Sequence, residues 1–135
     1  MSEKAVRELM QIGVPVCEID TPLAEVARLL SEEERDILVV MGEKCVEGVL
    51  TQSDMARAFL DDYYTLTAQD IMTPSMSSVP PDIPVTEAVR LMIERGFHQM
   101  LVVPADQEPA VPVGVLSKRH VVELMAEQGR KVERK

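Results

Sequence analysis

Thr51 and Asp54 stand three residues apart in Gly48-Val49-Leu50-Thr51-Gln52-Ser53-Asp54, a spacing that suits two kinds of chemistry. A hydroxyl at the head of a helix accepts from orphan backbone N–H groups, and an acid in the first turn suits the positive end of the helix. The same hydroxyl-x-x-acid pattern is also a capping box, in which both side chains turn back onto the backbone. A second copy follows sixty-six residues on, in Gly114-Val115-Leu116-Ser117-Lys118-Arg119-His120, where the hydroxyl is kept and His120 replaces the acid. Lys118 and Arg119 fall in the first turn of the helix that follows. Nothing in the chain points to catalysis. There is no nucleophile with a base, no HExxH, no Gly-x-x-x-x-Gly-Lys-Ser/Thr and no paired acids in a credible context, so the chain is read as a non-enzyme.

The elements that must hold these residues also come in pairs. The apolar pair before each hydroxyl reads as the end of a buried strand, and the residues after it as a helix. Pro22-Leu23-Ala24-Glu25-Val26-Ala27-Arg28-Leu29-Leu30 matches Pro84-Val85-Thr86-Glu87-Ala88-Val89-Arg90-Leu91-Met92 at an offset of 62, with each proline marking a helix start. Ile37-Leu38-Val39-Val40 matches Met100-Leu101-Val102-Val103, β-branched runs that suit central strands. Val6 to Met10 pairs with Ala68 to Met72 as a short opening helix, and Val14 to Cys17 pairs with Ser77 to Val79 as an extended piece. Val46 to Leu50 and Val111 to Leu116 are expected as second strands, and Asp61 to Thr67 as a linker. The expected fold is α/β, two pseudo-symmetric repeats of short helix, strand, helix, strand, strand, helix, packed sheet to sheet. Repeat 1 covers residues 1–62, repeat 2 residues 63–129, and a basic tail residues 130–135.

Composition closes off other classes. A net charge of −9, no Trp, two Phe and two Tyr argue against a nucleic-acid partner, which needs a basic field and stacking platforms. Cys17 and Cys45 lack CxxC spacing, so no metal site is expected, and both read as buried thiols. The longest apolar run, Ile37 to Met41, is too short to cross a bilayer, so no membrane partner is expected and the chain reads as cytoplasmic. Helices such as 53–60 and 85–93 carry more apolar residues than one small core needs, which points to a homodimer.

Asp-Ile-Met-Thr-Pro at 70–74, Ala-Val-Arg-Leu-Met at 88–92, the two Leu-Val-Val runs and Gly-Val-Leu-Thr-Gln-Ser-Asp at 48–54 together resemble a pair of cystathionine β-synthase (CBS) domains. The resemblance covers nearly the whole chain. It implies a regulatory module with no required cofactor, binding AMP, ADP, ATP or S-adenosylmethionine in clefts between the repeats and signalling to an effector protein. Carried over by position, one cleft combines Thr51 and Asp54 with Ser77, Ser78, His98, Gln99, Met100 and Arg119. The second cleft, with Val16, Asp36, Ser117 and His120, is expected to be weaker, because it lacks the acid and Glu34 and Asp36 would repel phosphate. Two alternatives differ from a nucleotide sensor: a structural dimerisation module with a vestigial cleft, and an S-adenosylmethionine sensor. The direction in which Asp54 points separates binding from capping.

Overall fold

The computed structural model describes residues 3–32, 35–74, 77–106 and 110–133, with side chains through Arg130. In chain order the elements are α1 (Val6–Leu9), β1 (Gln11–Ile12), β2 (Val16–Glu18), α2 (Leu23–Glu32), β3 (Ile37–Met41), β4 (Val46–Thr51) and α3 (Gln52–Ala58). A 3-10 turn (Tyr63–Thr65) leads to α4 (Ala68–Ile71), β5 (Ser78–Val79), α5 (Val85–Arg95), β6 (Gln99–Val102), β7 (Gly114–Ser117) and α6 (Lys118–Glu133). Arg134 and Lys135 of the expected basic tail, Glu34 of the second cleft and residues 107–109 of the long loop lie outside the described residues.

Two compact units result. One takes Met1–Gly13, Ser77–Ala105 and Pro112–Lys135, the other Val14–Met76 and Asp106–Val111. The first holds a four-stranded sheet in the order β1-β7-β6-β5, the second a three-stranded sheet in the order β2-β3-β4. In each, a parallel pair (β5 with β6, β2 with β3) adjoins an antiparallel pair (β6 with β7, β3 with β4). This is a mixed α/β arrangement with two sheets.

The sequence explains the cores. Strand side chains alternate between faces, so Leu38, Val40 and Leu50 pack with Cys17 and with Leu23, Val26 and Leu30 of α2. Ile37, Val39 and Val49 project from the opposite face and are buried as well, which is why the run reads as continuously apolar. The other unit repeats this with Met100, Val102 and Leu116 against Ala88 and Met92 of α5. Pro84 caps α5 at its start, and Gly96, at φ 72°, closes it in the left-handed conformation that glycine adopts freely.

The short helices do not pack with the rest of their own sequence repeat. α1 lies on α5, α6 and β7, and α4 lies on α3 and β4. The crossing is pinned by backbone bonds: Val6 N–H donates to the Ile83 carbonyl at 2.9 Å and Ala68 N–H to the Thr21 carbonyl at 2.9 Å. Gln11 and Ile12 then add β1 to the edge of β7, and Thr73, the counterpart of Gln11 in the repeat, forms an isolated antiparallel bridge with Val49. These contacts explain the glycine of each motif. A Cβ on Gly48 would lie 2.6 Å from the Thr73 carbonyl oxygen, and one on Gly114 would lie 2.5 Å from that of Gln11.

Three local expectations change. Cys45 is exposed rather than buried, because it sits in the β3–β4 turn where its carbonyl accepts from Gly42 N–H at 2.9 Å; Cys17 is buried as expected. The last strand begins at Gly114 rather than Val111, since Pro112 has no N–H to give a ladder. The segment 61–67 is structured: it holds the 3-10 turn, and its Leu66 carbonyl accepts from Leu23 N–H at 3.0 Å.

Candidate functional site

In the three-stranded unit, antiparallel pairing of Ile37 with Thr51 brings Asp36, at the start of β3, to the end of the sheet where β4 passes into α3. Thr51 is extended, at φ −118° and ψ 170°, and caps α3. Its N–H donates to Asp54 Oδ2 at 2.9 Å, its hydroxyl donates to the same oxygen at 3.1 Å, and its Oγ1 accepts from Asp54 N–H at 3.3 Å. Asp54 Oδ1 accepts from Arg57 Nη2 at 2.5 Å. The Asp54 side chain is 4% exposed while that of Arg57 is 71% exposed. Of the four lone pairs a carboxylate offers, about one stays free, on Oδ1. Val16, half-exposed, lies deeper along the sheet opposite Val39.

Burial separates Asp54 from an ordinary cap. Thr67 and Asp70 make the same box ahead of α4, with bonds of 2.8 and 3.1 Å to Asp70 Oδ2, but in an exposed setting. Asp54 is the one buried polar or charged side chain among the described residues. Sequence reasoning missed Arg57, although an Asp–Arg spacing of three within a helix is the available signal.

The four-stranded unit gathers the other expected residues. Gln99 pairs with Ser117, and the His98 carbonyl accepts from Lys118 N–H at 3.1 Å, so β6 begins where β7 turns into α6. Ser78, in the neighbouring β5, pairs with Leu101 of β6, and Ser77 accepts from Arg95 Nη1 at 2.9 Å. Met100 is fully buried and packs in the core, not at the surface. Arg119 is 79% exposed and reaches Glu123 at 3.5 Å. His120 occupies the acid position: Ser117 N–H donates to its Nδ1 at 3.0 Å, and Ser117 Oγ lies 3.2 Å from the same nitrogen. Burial lowers its pKa below the usual histidine value, with Glu123 opposing and Arg119 adding to the shift.

A groove of about 510 Å3 in the three-stranded unit is lined by Leu23, Ala27, Gln52, Met55, Ala56, Phe59 and Tyr63. It adjoins α3 on an apolar side and includes neither Thr51 nor Asp54. Among the described residues there is no group of three or more side chains able to hold a metal ion, and no helix long and apolar enough to cross a membrane.

The profile of the CBS domain matches residues 6–61 and again 68–127. The chain belongs to the CBS domain family. It is a tandem CBS domain pair, and its fold agrees with solved CBS pairs. The pair of protein MJ0100, solved with 5′-methylthioadenosine and S-adenosyl-L-methionine, aligns at a TM-score of 0.80 and 19% identity over 94% of this chain and 99% of that one. CBSX2 from Arabidopsis thaliana aligns at 0.77 and 23% identity, over 96% and 99%. A hexameric CBS-CP12 protein from bloom-forming cyanobacteria aligns at 0.77 and 20%, over 90% of this chain and 68% of that one. In sequence, an uncharacterized 17.7 kDa protein of Acidianus ambivalens is 24% identical over 102 residues, and the aligned part spans 62% of that protein's own length.

Proposed function

We propose that this CBS pair is a non-catalytic regulatory module of the cytoplasm that binds an adenine nucleotide, AMP, ADP or ATP, and passes its occupancy to an effector protein. The reading gives the ribose and phosphate to Thr51 and Asp54, assigns Ser77, Ser78, His98, Gln99, Met100 and Arg119 of the four-stranded unit to nucleotide binding as well, and leaves Val16, Asp36, Ser117 and His120 to weaker binding. The observation that carries it is the burial of Asp54. A carboxylate needed only as a cap can stay in water, as Asp70 does, whereas Asp54 is withdrawn from solvent with one oxygen still partly free. A diol would take that oxygen by displacing Arg57, whose own side chain is 71% exposed. Ser78 and Gln99, at strand ends, supply donors and acceptors suited to a nucleoside. Met100, being buried, would contribute its backbone groups rather than its thioether. That MJ0100 was solved with two adenosyl compounds supports the ligand class.

A purely structural module is the second reading, favoured by one observation: Asp54 Oδ2 is turned onto the Thr51 backbone. A thermal-shift panel of AMP, ADP, ATP, S-adenosylmethionine and NAD, run on wild type and Asp54→Asn, separates the two. A ligand of the folded state at 100 times its Kd adds about 2.7 kcal/mol. Asp54→Asn keeps an acceptor but loses the charge, so affinity should fall about 10- to 100-fold. Loss of charge near the helix dipole should cost the apo protein only about 0.3–1 kcal/mol. Equal binding by the variant, with a melting point several degrees lower, would leave the capping role alone. A shift by S-adenosylmethionine and not by the nucleotides would move the ligand to the methyl-donor class.

The same reading includes a homodimer. Phe59 and Leu60 after α3, and Ile93 on α5, are 69%, 85% and 69% exposed, apolar side chains that a second copy could cover. Sedimentation at micromolar concentration should give twice the 15.0 kDa chain mass, and a lone monomer species would remove the dimer from the proposal.

A further inference from the structure

We propose that the Ser117–His120 cap is an acid-sensitive latch on the first turn of α6, closed when His120 is neutral and opened when it takes a proton. A backbone N–H can only donate, so the 3.0 Å contact from Ser117 N–H fixes Nδ1 of His120 as a lone-pair acceptor and puts the ring proton on Nε2. Protonation converts Nδ1 into a donor aimed at that N–H and at a hydroxyl 3.2 Å away. The bond from Ser117 N–H is lost and two donors face each other there, while the Ser117 hydroxyl turns to accept from the ring.

The other caps do not share this behaviour. The Glu8 carboxylate accepts from Ala5 N–H at 2.7 Å, and Asp54 and Asp70 do the same for Thr51 and Thr67. Each of these is a carboxylate with two acceptor oxygens, whereas the imidazole offers a single acceptor nitrogen, which a proton takes away. The start of α6 also lacks the usual compensation. Its first turn contains no acid and begins Lys118-Arg119, so protonated His120 would be a third cation at the positive end of a 16-residue helix.

Charged neighbours are few. On α6 itself Glu123 favours the proton and Arg119 opposes it, and these two lie 3.5 Å from each other. β7 carries no charged residue before Ser117. On α1, which packs against α6, Arg7 is paired with Asp82 at 2.7 Å and Glu8 is held by its own cap. The segment entering β6 brings His98, bonded to the α6 backbone through its carbonyl. Because the folded-state pKa of His120 is depressed, the folded state binds fewer protons than the unfolded chain. The cap's contribution is therefore complete above about pH 6.5 and is lost as pH falls through the lower folded value.

The test is a proton–nitrogen NMR titration of the full chain from pH 8 to 4.5, following the His120 ring and the Ser117 and Lys118 amides, on wild type, His120→Asp and His98→Gln. The wild-type amides should move with the His120 midpoint, below 6.5, and hydrogen exchange in the first turn of α6 should rise about 5-fold across it, the value of one cap. His120→Asp should keep the cap and show no such transition between pH 7 and 5, while His98→Gln should titrate like wild type. Amides that ignore His120 protonation, a His120 ring that never titrates above pH 4.5, or a transition that survives in His120→Asp would each overturn the latch. The wild-type titration decides the matter even if a variant misfolds.

Discussion

Replacing Gly48 with alanine should destabilise the protein by about 1–3 kcal/mol, lowering its melting temperature by roughly 4 °C for each kcal/mol. The added methyl would sit 2.6 Å from the Thr73 carbonyl oxygen and 2.8 Å from Met72 Sδ. The thioether can swing away, but the carbonyl is held by its bond from Val49 N–H at 3.0 Å, so relief must come from the backbone. Gly129 is the internal control. Nothing lies within 4 Å of a Cβ there, and the residue is inside α6. Gly129→Ala should therefore stabilise by about 0.5–1 kcal/mol, as helix propensity dictates. Urea unfolding of both variants measures the pair; equal effects at the two sites would show that the 72–73 crossing does not constrain Gly48.

A larger loss is expected from Leu38→Ala, about 2–5 kcal/mol, because Leu38 is fully buried at the centre of its core and β3 is bonded on both edges, leaving little room to collapse into the cavity. Against the 5–15 kcal/mol typical of a whole domain, that is a large fraction of the total. Leu60→Ala removes the same atoms from a site 85% exposed and should stay within about 0.5 kcal/mol in dilute monomer. Chemical denaturation that ranks the two alike would contradict the assignment of the core.

Much of this fold was legible because its signals are local. Val85, Ala88 and Met92 recur at helical spacing and are buried together, and Ile37 to Val40 reads as a doubly covered strand and is one. What stayed hidden depends on partners distant in sequence. The two motif glycines could be seen to repeat, yet their cause, the close passage of residues 72–73 and 10–11, is invisible without the crossing of α4 and α1. The site divides in the same way. Thr51 and Asp54 announce a capping box, and the structure contains it, but their spacing says nothing of the burial that sets Asp54 apart from Asp70. His120 could be read as a missing acid, whereas the imidazole in fact accepts the same backbone bond. Met100 enters the ligand set through the family resemblance, and its side chain belongs to the core.

The exchanged short helices also set an order of events during synthesis. Nearly all of the three-stranded unit comes from Val14–Met76, so its pairings become available as soon as that stretch leaves the ribosome. The four-stranded unit must wait, since Gln11 and Ile12 pair with Val115 and Gly114, about a hundred residues later. At about 5–20 residues per second, the opening segment spends roughly 5–20 seconds without its strand partner. Ile12, 79% exposed even when paired, is then an unclaimed edge that a neighbouring nascent chain can reach first.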